Sequence, residues 1–328
     1  MDVIFYEAFE EEAEAIKQYL NPDIKAGFTW KTIQEYGQSL PAAPIISIRT
    51  QSVIPISWAS SLKAILSRST GYDHLTDYKV KSRSTIDCGY LPLYCNRAVA
   101  EQAMLLWMSL LRKLPLQMRQ FKSFHRDGLT GYECENKTLL VVGVGNIGYE
   151  VVRIGRGLGM NVLGVDIVKK HDDVSYIEIL DGIDKADIIV SAMNLTEQNR
   201  AYFNYSLMKK SKPGVIFVNV ARGELSPGGD IIRLIRENHL GGVALDVYNH
   251  ESALAFALRN KKKSDNPEVE AILDLANFEN VILTPHNAFN TRESVERKAE
   301  QSIRQIESYL KTGRFLWPVP SLRGKKTV

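Results

Sequence analysis

Three side chains in the second half of the chain have the types that proton and carboxylate chemistry needs: Arg222, Glu251 and His286. Arg222 follows the apolar run Val215-Ile216-Phe217-Val218-Asn219-Val220, with Gly223 behind it to allow a turn. A guanidinium placed there can grip a carboxylate through two parallel hydrogen bonds. His286, in Thr284-Pro285-His286-Asn287-Ala288-Phe289, also closes an apolar run, and an imidazole suits proton exchange with an alcohol oxygen near neutral pH. A carboxylate that accepts from one imidazole nitrogen fixes the tautomer and favours the protonated ring, so Glu251 and His286 form a candidate dyad. Taken singly, a strand-end arginine serves equally as half of a surface salt bridge, and a strand-end histidine as a structural residue.

A second group of residues speaks of phosphate. Thr138 to Gly148 reads TLLVVGVGNIG, an apolar run ending in Gly143, Gly145 and Gly148 at G-x-G-x-x-G spacing. Gly143 allows the tight turn, Gly145 lets the backbone approach a pyrophosphate, and Gly148 lets the following helix pack close to the strand. The helix N-terminus offers its unpaired N–H groups to the phosphates. A second run, Asn161 to Val165, ends in Asp166 about twenty residues on, where a carboxylate can accept from the adenosine ribose hydroxyls. Such an acid favours NAD by repelling a 2′-phosphate, although Lys169 and Lys170 follow closely and leave NADP open.

These side chains need a scaffold, and the hydrophobic pattern supplies one. After the glycines, apolar runs without alternation recur at Ala186 to Val190, Val215 to Val220, Gly242 to Asp246 and Val281 to Thr284, as in a parallel sheet buried on both faces. In an open parallel sheet the ligand lies outside the carboxyl ends of the strands, so Asp166, Asn194, Arg222, Asp246 and His286 are expected to converge. Before the glycines, β-rich runs such as Val3 to Tyr6 and Ile45 to Ile48 alternate with helical stretches, predicting a first, smaller α/β domain. From Arg97 to Leu114 an apolar helix is expected at a domain or subunit interface. A charged helix is expected from Arg292 to Lys311, then Trp317-Pro318-Val319-Pro320 returning to the first domain, and a frayed basic tail at Arg323 to Val328.

Composition narrows the class. The chain has 328 residues, 45% of them hydrophobic, enough for two cored domains. With 41 Lys and Arg against 38 Asp and Glu, and the one basic cluster Lys261-Lys262-Lys263 in an expected loop, nucleic acid is not an expected partner. The acidic Glu10-Glu11-Glu12 near the start is unlike a signal peptide, and no apolar stretch has membrane-spanning length, so a cytoplasmic protein without a membrane partner is expected. Cys88, Cys95 and Cys134 lack metal-ligand spacing and read as reduced thiols with no metal.

The ordered motifs resemble the NAD-dependent D-isomer-specific 2-hydroxyacid dehydrogenases, and nearly the whole chain takes part in the resemblance. The D-lactate dehydrogenase branch looks closest, because Tyr94 precedes the AVAE stretch, Phe289 follows His286, and the segment between Glu251 and His286 is long. The resemblance implies two Rossmann-like or flavodoxin-like α/β domains with doubly wound parallel sheets. A nucleotide-binding domain, 97–290, is then inserted in a substrate (catalytic) domain made of 1–96 and 291–328. It implies Arg222, Glu251 and His286 as the catalytic trio. Asn146 and Ile147, with the three glycines, take the pyrophosphate. Met193, Asn194, Asn199, Val220 and Ala221 take the ribose and nicotinamide end, and Asp246 faces the carboxamide. Thr70 and Gly71, in Ser69-Thr70-Gly71-Tyr72-Asp73, meet the substrate carboxylate, with Tyr94 and Phe289 as further substrate contacts. Met193, Val220, Ala221, Tyr94 and Phe289 read equally as core residues from their types alone.

The implied reaction is reversible hydride transfer between the cofactor and a 2-oxo or D-2-hydroxy acid of the pyruvate and lactate kind, with Arg222 polarising the substrate and His286 moving the proton. A homodimer is expected from the Arg97 to Leu114 helix. The sequence departs from the family pattern at Asn194, where proline is usual, at Ser226-Pro227-Gly228-Gly229, and at Asn249-His250, where His250 puts a second imidazole beside Glu251. Two other readings stay open: an NAD(H)-sensing, corepressor-like binding protein, and a phosphite or formate dehydrogenase of the same family, with Glu251 arguing against formate.

Overall fold

The computed structural model describes residues 1–320, which form two compact units: Met1–Cys95 with the chain from Asn290 onward, and Asn96–Phe289. The basic tail at Arg323 to Val328 lies outside the described residues. Both units are α/β with entirely parallel named strands.

The first unit is built on β1 (Val3–Phe5), β2 (Ala26–Phe28), β3 (Ile45–Ile48), β4 (Ala64–Ser67) and β5 (Asp87–Gly89), in the order β2-β1-β3-β4-β5. Its central strands are buried on both faces, hence their continuous Ile, Val and Leu content. The core gathers Ile4, Ile46, Ile48, Trp58, Ile65 and Leu75. The helix Glu10–Tyr19 packs on the long helix Arg292–Thr312, and beyond it Val319 N–H donates to Cys88 O at 2.7 Å. The chain end is thereby tied to the β5 edge, where Pro318 bridges Gly89 antiparallel.

The second unit carries seven strands: β6 (Thr138–Val142), β7 (Asn161–Val165), β8 (Ser175–Tyr176), β9 (Ile188–Ser191), β10 (Val215–Asn219), β11 (Leu240–Leu245) and β12 (Val281–Leu283). Their order is β12-β11-β10-β9-β6-β7-β8, so the chain reverses its direction of travel across the sheet between β6 and β9. The pairings Val142↔Val165, Val142↔Ser191, Asn219↔Ser191, Asn219↔Leu245 and Leu245↔Leu283 run across six strands. Those strands therefore end level with one another. The next residues along that edge are Asp166, Gly143, Ala192, Val220, Asp246 and Thr284.

The apolar helix differs from its sequence expectation in two ways. It runs Asn96–Leu111 and stops, with Lys113 in the left-handed region (φ 52°), before a second helix, Leu114–Gln120. Pro115 accounts for the break: its ring cannot accept the carbonyl of Leu111 one turn earlier and it brings no N–H. The helix also packs within its own unit, against the helix Asn146–Gly157 and strands β10 and β11, burying Ala103, Leu106, Trp107 and Leu110. Among the described residues no helix is long and apolar enough to cross a membrane.

Candidate active site

The glycine loop lies at the point of reversal between β6 and β9. Gly143 leaves β6 with φ +92°, and a Cβ there would collide with the backbone of Met193, just past β9. Gly148 sits so close to the carbonyl of Gly143 that no side chain fits, which presses the helix Asn146–Gly157 against the strand it follows. Gly145 is different: it is exposed and a Cβ there would meet nothing within 4 Å. The helix N-terminus at Gly145, Asn146 and the half-buried Ile147 thus faces open space, with backbone N–H groups directed outward as an anion requires. The chain's own residues fit the diphosphate of a dinucleotide there.

Asp166 stands one residue beyond β7, with Oδ2 accepting from Val144 N–H at 2.6 Å and Oδ1 from Val168 N–H at 2.9 Å. The carboxylate is thereby fixed at the edge of the loop. Lys170 reaches Asn146 Oδ1 at 3.5 Å, which brings one cation to the same edge, whereas Lys169 is exposed. Past β9, Met193 is half-buried and Asn194 exposed. Asn199 stitches this loop: its Nδ2 donates to Asn194 O at 2.7 Å and its Oδ1 accepts from Thr196 N–H at 2.7 Å.

Val220 and Ala221 are buried at the end of β10. The position of Arg222 is set by Asn219, a fully buried residue whose Nδ2 donates to Arg222 O and to Ser226 Oγ, each at 2.8 Å, while its Oδ1 accepts from Ala221 N–H at 3.0 Å. Arg222 itself donates through Nη1 to Ala221 O at 2.8 Å. A Cβ on Gly223 would collide with the backbone of Tyr248 and Asn249, so the arginine turn lies directly against the segment leading to Glu251.

That segment carries the proton chemistry. Glu251 is the first residue of the helix Glu251–Asn260, and His250 before it is exposed and left-handed (φ 55°). The Glu251 oxygens lie 2.8 Å and 3.0 Å from His286 Nδ1. The two side chains are about one quarter exposed, at 25% and 26%, enough to be reached by a small molecule while partly shielded from water. His286 has φ 52°, an uncommon conformation for a non-glycine residue, and the turn that imposes it is clamped by Asp246. Asp246 Oδ1 accepts from Thr284 Oγ1 at 2.5 Å and Asn287 N–H at 2.9 Å, and Oδ2 from Ala288 N–H at 2.9 Å. Burial raises the Asp246 carboxyl above its ordinary value, and these hydrogen bonds pull against that rise. Tyr248 adds a brace, its hydroxyl donating to Thr284 O at 2.7 Å. Phe289 sits edge-on to His286, ring centroids 6.4 Å apart.

In the first unit, Thr70 and Gly71 follow β4. Thr70 Oγ1 lies 3.1 Å from Leu91 O and 3.3 Å from Cys95 Sγ, and Gly71 O accepts from Ser69 Oγ at 2.7 Å. Tyr94 is buried at 4% exposure, which pushes its phenol well above the ordinary value, and its carbonyl accepts from Ser294 Oγ and Arg297 Nε. Residues that composition and spacing did not single out do much of this positioning. Asn219 lies in the apolar run before Arg222, where a polar residue closing a run of buried apolar ones was the available signal, and Tyr248 follows the run that ends in Asp246.

Residues 104–288 match the family model described as D-isomer specific 2-hydroxyacid dehydrogenase, NAD binding domain. The chain is 31% identical over 254 residues to the aromatic 2-oxoacid reductase of Clostridium sporogenes, covering 76% of each. It is 25% identical to the D-lactate dehydrogenase of Lactiplantibacillus plantarum over 96% of this chain and 98% of that one. Among solved structures it resembles the D-lactate dehydrogenase of Aquifex aeolicus complexed with NAD and lactic acid, with TM-score 0.84 and 26% identity. That match covers 98% of this chain and all of the other.

Proposed function

Because this chain belongs to the D-isomer-specific 2-hydroxyacid dehydrogenases and is an NAD-dependent oxidoreductase, we propose that it interconverts a 2-oxo acid and the corresponding D-2-hydroxy acid with Arg222, Glu251 and His286 as its catalytic trio. The observation that carries this reading is the His286–Glu251 pair, held on the same strand-end edge as the glycine loop. Gly143, Gly145, Asn146, Ile147 and Gly148 hold the diphosphate of NAD, and Asp166 its adenosine ribose. Met193, Asn194, Val220, Ala221 and Asp246 border the nicotinamide end, with Asn199 shaping the loop before it. Bound NAD supplies the two-electron oxidation or reduction at C2 of the substrate.

The chain's own part is to bind, orient and move one proton. The Arg222 guanidinium binds the substrate and polarises its C2 oxygen. With Nδ1 engaged by Glu251, the Nε2 of His286 gives its proton to the C2 oxygen during reduction and takes it back during oxidation. Glu251 offsets the positive charge on the ring while the proton is present. The first unit acts as the substrate domain, the backbone of Thr70 and Gly71 meeting the carboxylate and Tyr94 and Phe289 flanking the side chain.

The relatives are named for D-lactate and for aromatic 2-oxo acids, and for this chain we take the lactate and pyruvate kind as the starting point. A homodimer is supported by the exposed apolar side chains along 105–124, where Leu105, Met118, Phe121 and Phe124 are 53% to 74% exposed. Three cysteines without a disulfide fit a reducing cytoplasm. The corepressor-like, phosphite and formate readings are not favoured. NADH oxidation with a panel of 2-oxo acids including pyruvate and phenylpyruvate tests the reaction. Loss of absorbance at 340 nm and formation of the D-enantiomer are expected, and absence of turnover with every acid overturns the reading.

A further inference from the structure

The loop that follows β4, Ser69-Thr70-Gly71, is held in shape by a line of three side chains. Gly71 is its weak point, because a residue without a Cβ has the widest choice of backbone angles. Its carbonyl is nevertheless fixed, accepting from Ser69 Oγ at 2.7 Å. Ser69 Oγ lies 2.6 Å from Ser67 Oγ, at the end of β4, and Ser67 Oγ lies 3.0 Å from His74 Nε2. Ser67 is fully buried and Ser69 is 9% exposed, while His74 is half-buried one residue into the helix Asp73–Ser82.

The direction of every hydrogen in this line follows from its last member. A carbonyl can only accept, so the single hydrogen of Ser69 Oγ goes to Gly71 O. Ser69 must then accept from Ser67, which commits the single hydrogen of that hydroxyl as well. Ser67 can only accept from the ring, so His74 carries a hydrogen on Nε2 and donates it. The line runs one way, from His74 through Ser67 and Ser69 to Gly71. A bare acceptor in place of Nε2–H would draw the Ser67 hydrogen to itself and let Ser69 turn its own toward Ser67, releasing Gly71.

What the line fixes is a set of backbone N–H groups. Leu91 N–H donates to Ser69 O at 3.1 Å, and across a trans peptide the N–H points away from the C=O, so Thr70 N–H is turned away from Leu91. By the same rule the hold on Gly71 O turns Tyr72 N–H away from Ser69. Among the described residues, none of the Thr70, Gly71 and Tyr72 N–H groups donates to a protein acceptor. Adjacent backbone donors of this kind suit an anion. Leu91 steadies one end of the set and the line from His74 steadies the other.

We propose that His74 is a positioning residue for the substrate carboxylate: its Nε2–H, acting through Ser67 and Ser69, keeps the N–H groups around Gly71 in the arrangement that the carboxylate meets. The inference rests on the assignment of Thr70 and Gly71 to that carboxylate. Every 2-oxo acid carries the group, so the device serves binding of all of them rather than the choice of side chain. Its loss weakens ground state and transition state alike, which raises KM and leaves kcat in place.

The test is steady-state kinetics of the intact enzyme with NADH and either pyruvate or phenylpyruvate. His74→Met leaves the Ser67 hydroxyl free to point either way, and is expected to raise KM for both acids by the same factor, about 5-fold, with kcat, NADH affinity and melting temperature unchanged. His74→Gln keeps a donor at similar reach and is expected to stay within about 2-fold of the wild-type KM. Ser69→Ala removes the last link and is expected to raise KM by about 10-fold, and adding His74→Met to it is expected to change nothing further. A wild-type KM in folded His74→Met overturns the inference, as does an equal rise in His74→Gln or a rise for one acid alone. Should His74→Met not fold, a wild-type KM in Ser69→Ala overturns it independently. A wild type that binds NADH and reduces no 2-oxo acid rejects the dehydrogenase reading, and the inference with it.

Discussion

Glu251 and His286 are separated by 35 positions in the chain, yet both carboxylate oxygens of the first lie within 3.0 Å of one ring nitrogen, Nδ1, of the second. A carboxylate can only accept, so Nδ1 carries the hydrogen and Nε2 becomes the nitrogen available to a substrate. The pair is assembled from the start of a helix and the turn after an edge strand. Neither element alone would hold an imidazole in a fixed direction.

If the pair works as a unit, its members will not contribute additively. His286→Asn is expected to lower kcat for 2-oxo acid reduction by about 100-fold or more, as expected for loss of a general acid. Glu251→Ala is expected to cost a similar factor, and the double variant no more than His286→Asn alone. Steady-state kinetics with saturating NADH checks this, and fully multiplicative losses would separate the two roles.

The sheet of the second unit could be read from the sequence because its strands are buried on both faces and advertise themselves as unbroken apolar runs. That same property made the edge residues Asp166, Arg222, Asp246 and His286 stand out as the first polar positions after each run. The clamp on His286 was not readable, because Asp246 acts through backbone N–H groups of Asn287 and Ala288 that any residue would present. The division of the apolar stretch at Lys113 was missed by weighing hydrophobicity over Pro115. In the first unit the buried Glu12 Oε1 lies 2.8 Å from Arg68 Nε and 3.0 Å from Lys298 Nζ. This cluster drew no notice, since its members lie far apart in sequence and each resembles an ordinary surface charge.

Asp246 offers a test of that clamp. An amide at this position must set its NH2 against one of the donors it now accepts from, Thr284 Oγ1 or the N–H of Asn287 or Ala288. Asp246→Asn is expected to cost about 1–3 kcal/mol of stability and to lower kcat by loosening the left-handed turn at His286. Denaturant unfolding together with kcat measures both, and wild-type values of each would remove Asp246 from the support of the site.

The glycine loop separates two roles that a motif match merges. Gly145 faces open space, so Gly145→Ala is expected to keep stability within about 1 kcal/mol while weakening NADH binding by about 10-fold or more, since the new methyl stands where the diphosphate must approach. Gly148 touches the carbonyl of Gly143, so Gly148→Ala is expected to lose about 3 kcal/mol of stability first. Fluorescence titration with NADH alongside thermal melting distinguishes them. Equal effects of the two substitutions on melting would contradict the assignment.

The Glu12 cluster predicts a pH dependence whose sign follows from its members. Burial alone would raise the Glu12 carboxyl, but Arg68 and Lys298 outweigh it and hold it at about 2, below its ordinary 4.5. Its stabilising contribution is therefore complete above about pH 4.5 and is lost as pH falls toward 2, roughly 3 kcal/mol in all. Burial pushes the Lys298 ammonium down to about 8 despite the pull of Glu12, with Arg49 and Arg68 adding to the fall. Glu12→Gln leaves Arg68 and Lys298 buried without their shared anion and is expected to cost about 3–5 kcal/mol at pH 7. Without Glu12 the Lys298 ammonium falls below the value of about 8 that it holds in the wild type, so the variant sheds that proton at lower pH than the wild type does, and part of the loss has returned by pH 9. Lys298→Met in the Glu12→Gln background removes one stranded charge and should recover stability already at pH 7. Urea unfolding of the three proteins at pH 7 and pH 9 decides it, and a Glu12→Gln protein as stable as the wild type at pH 7 would mean that the cluster is solvated.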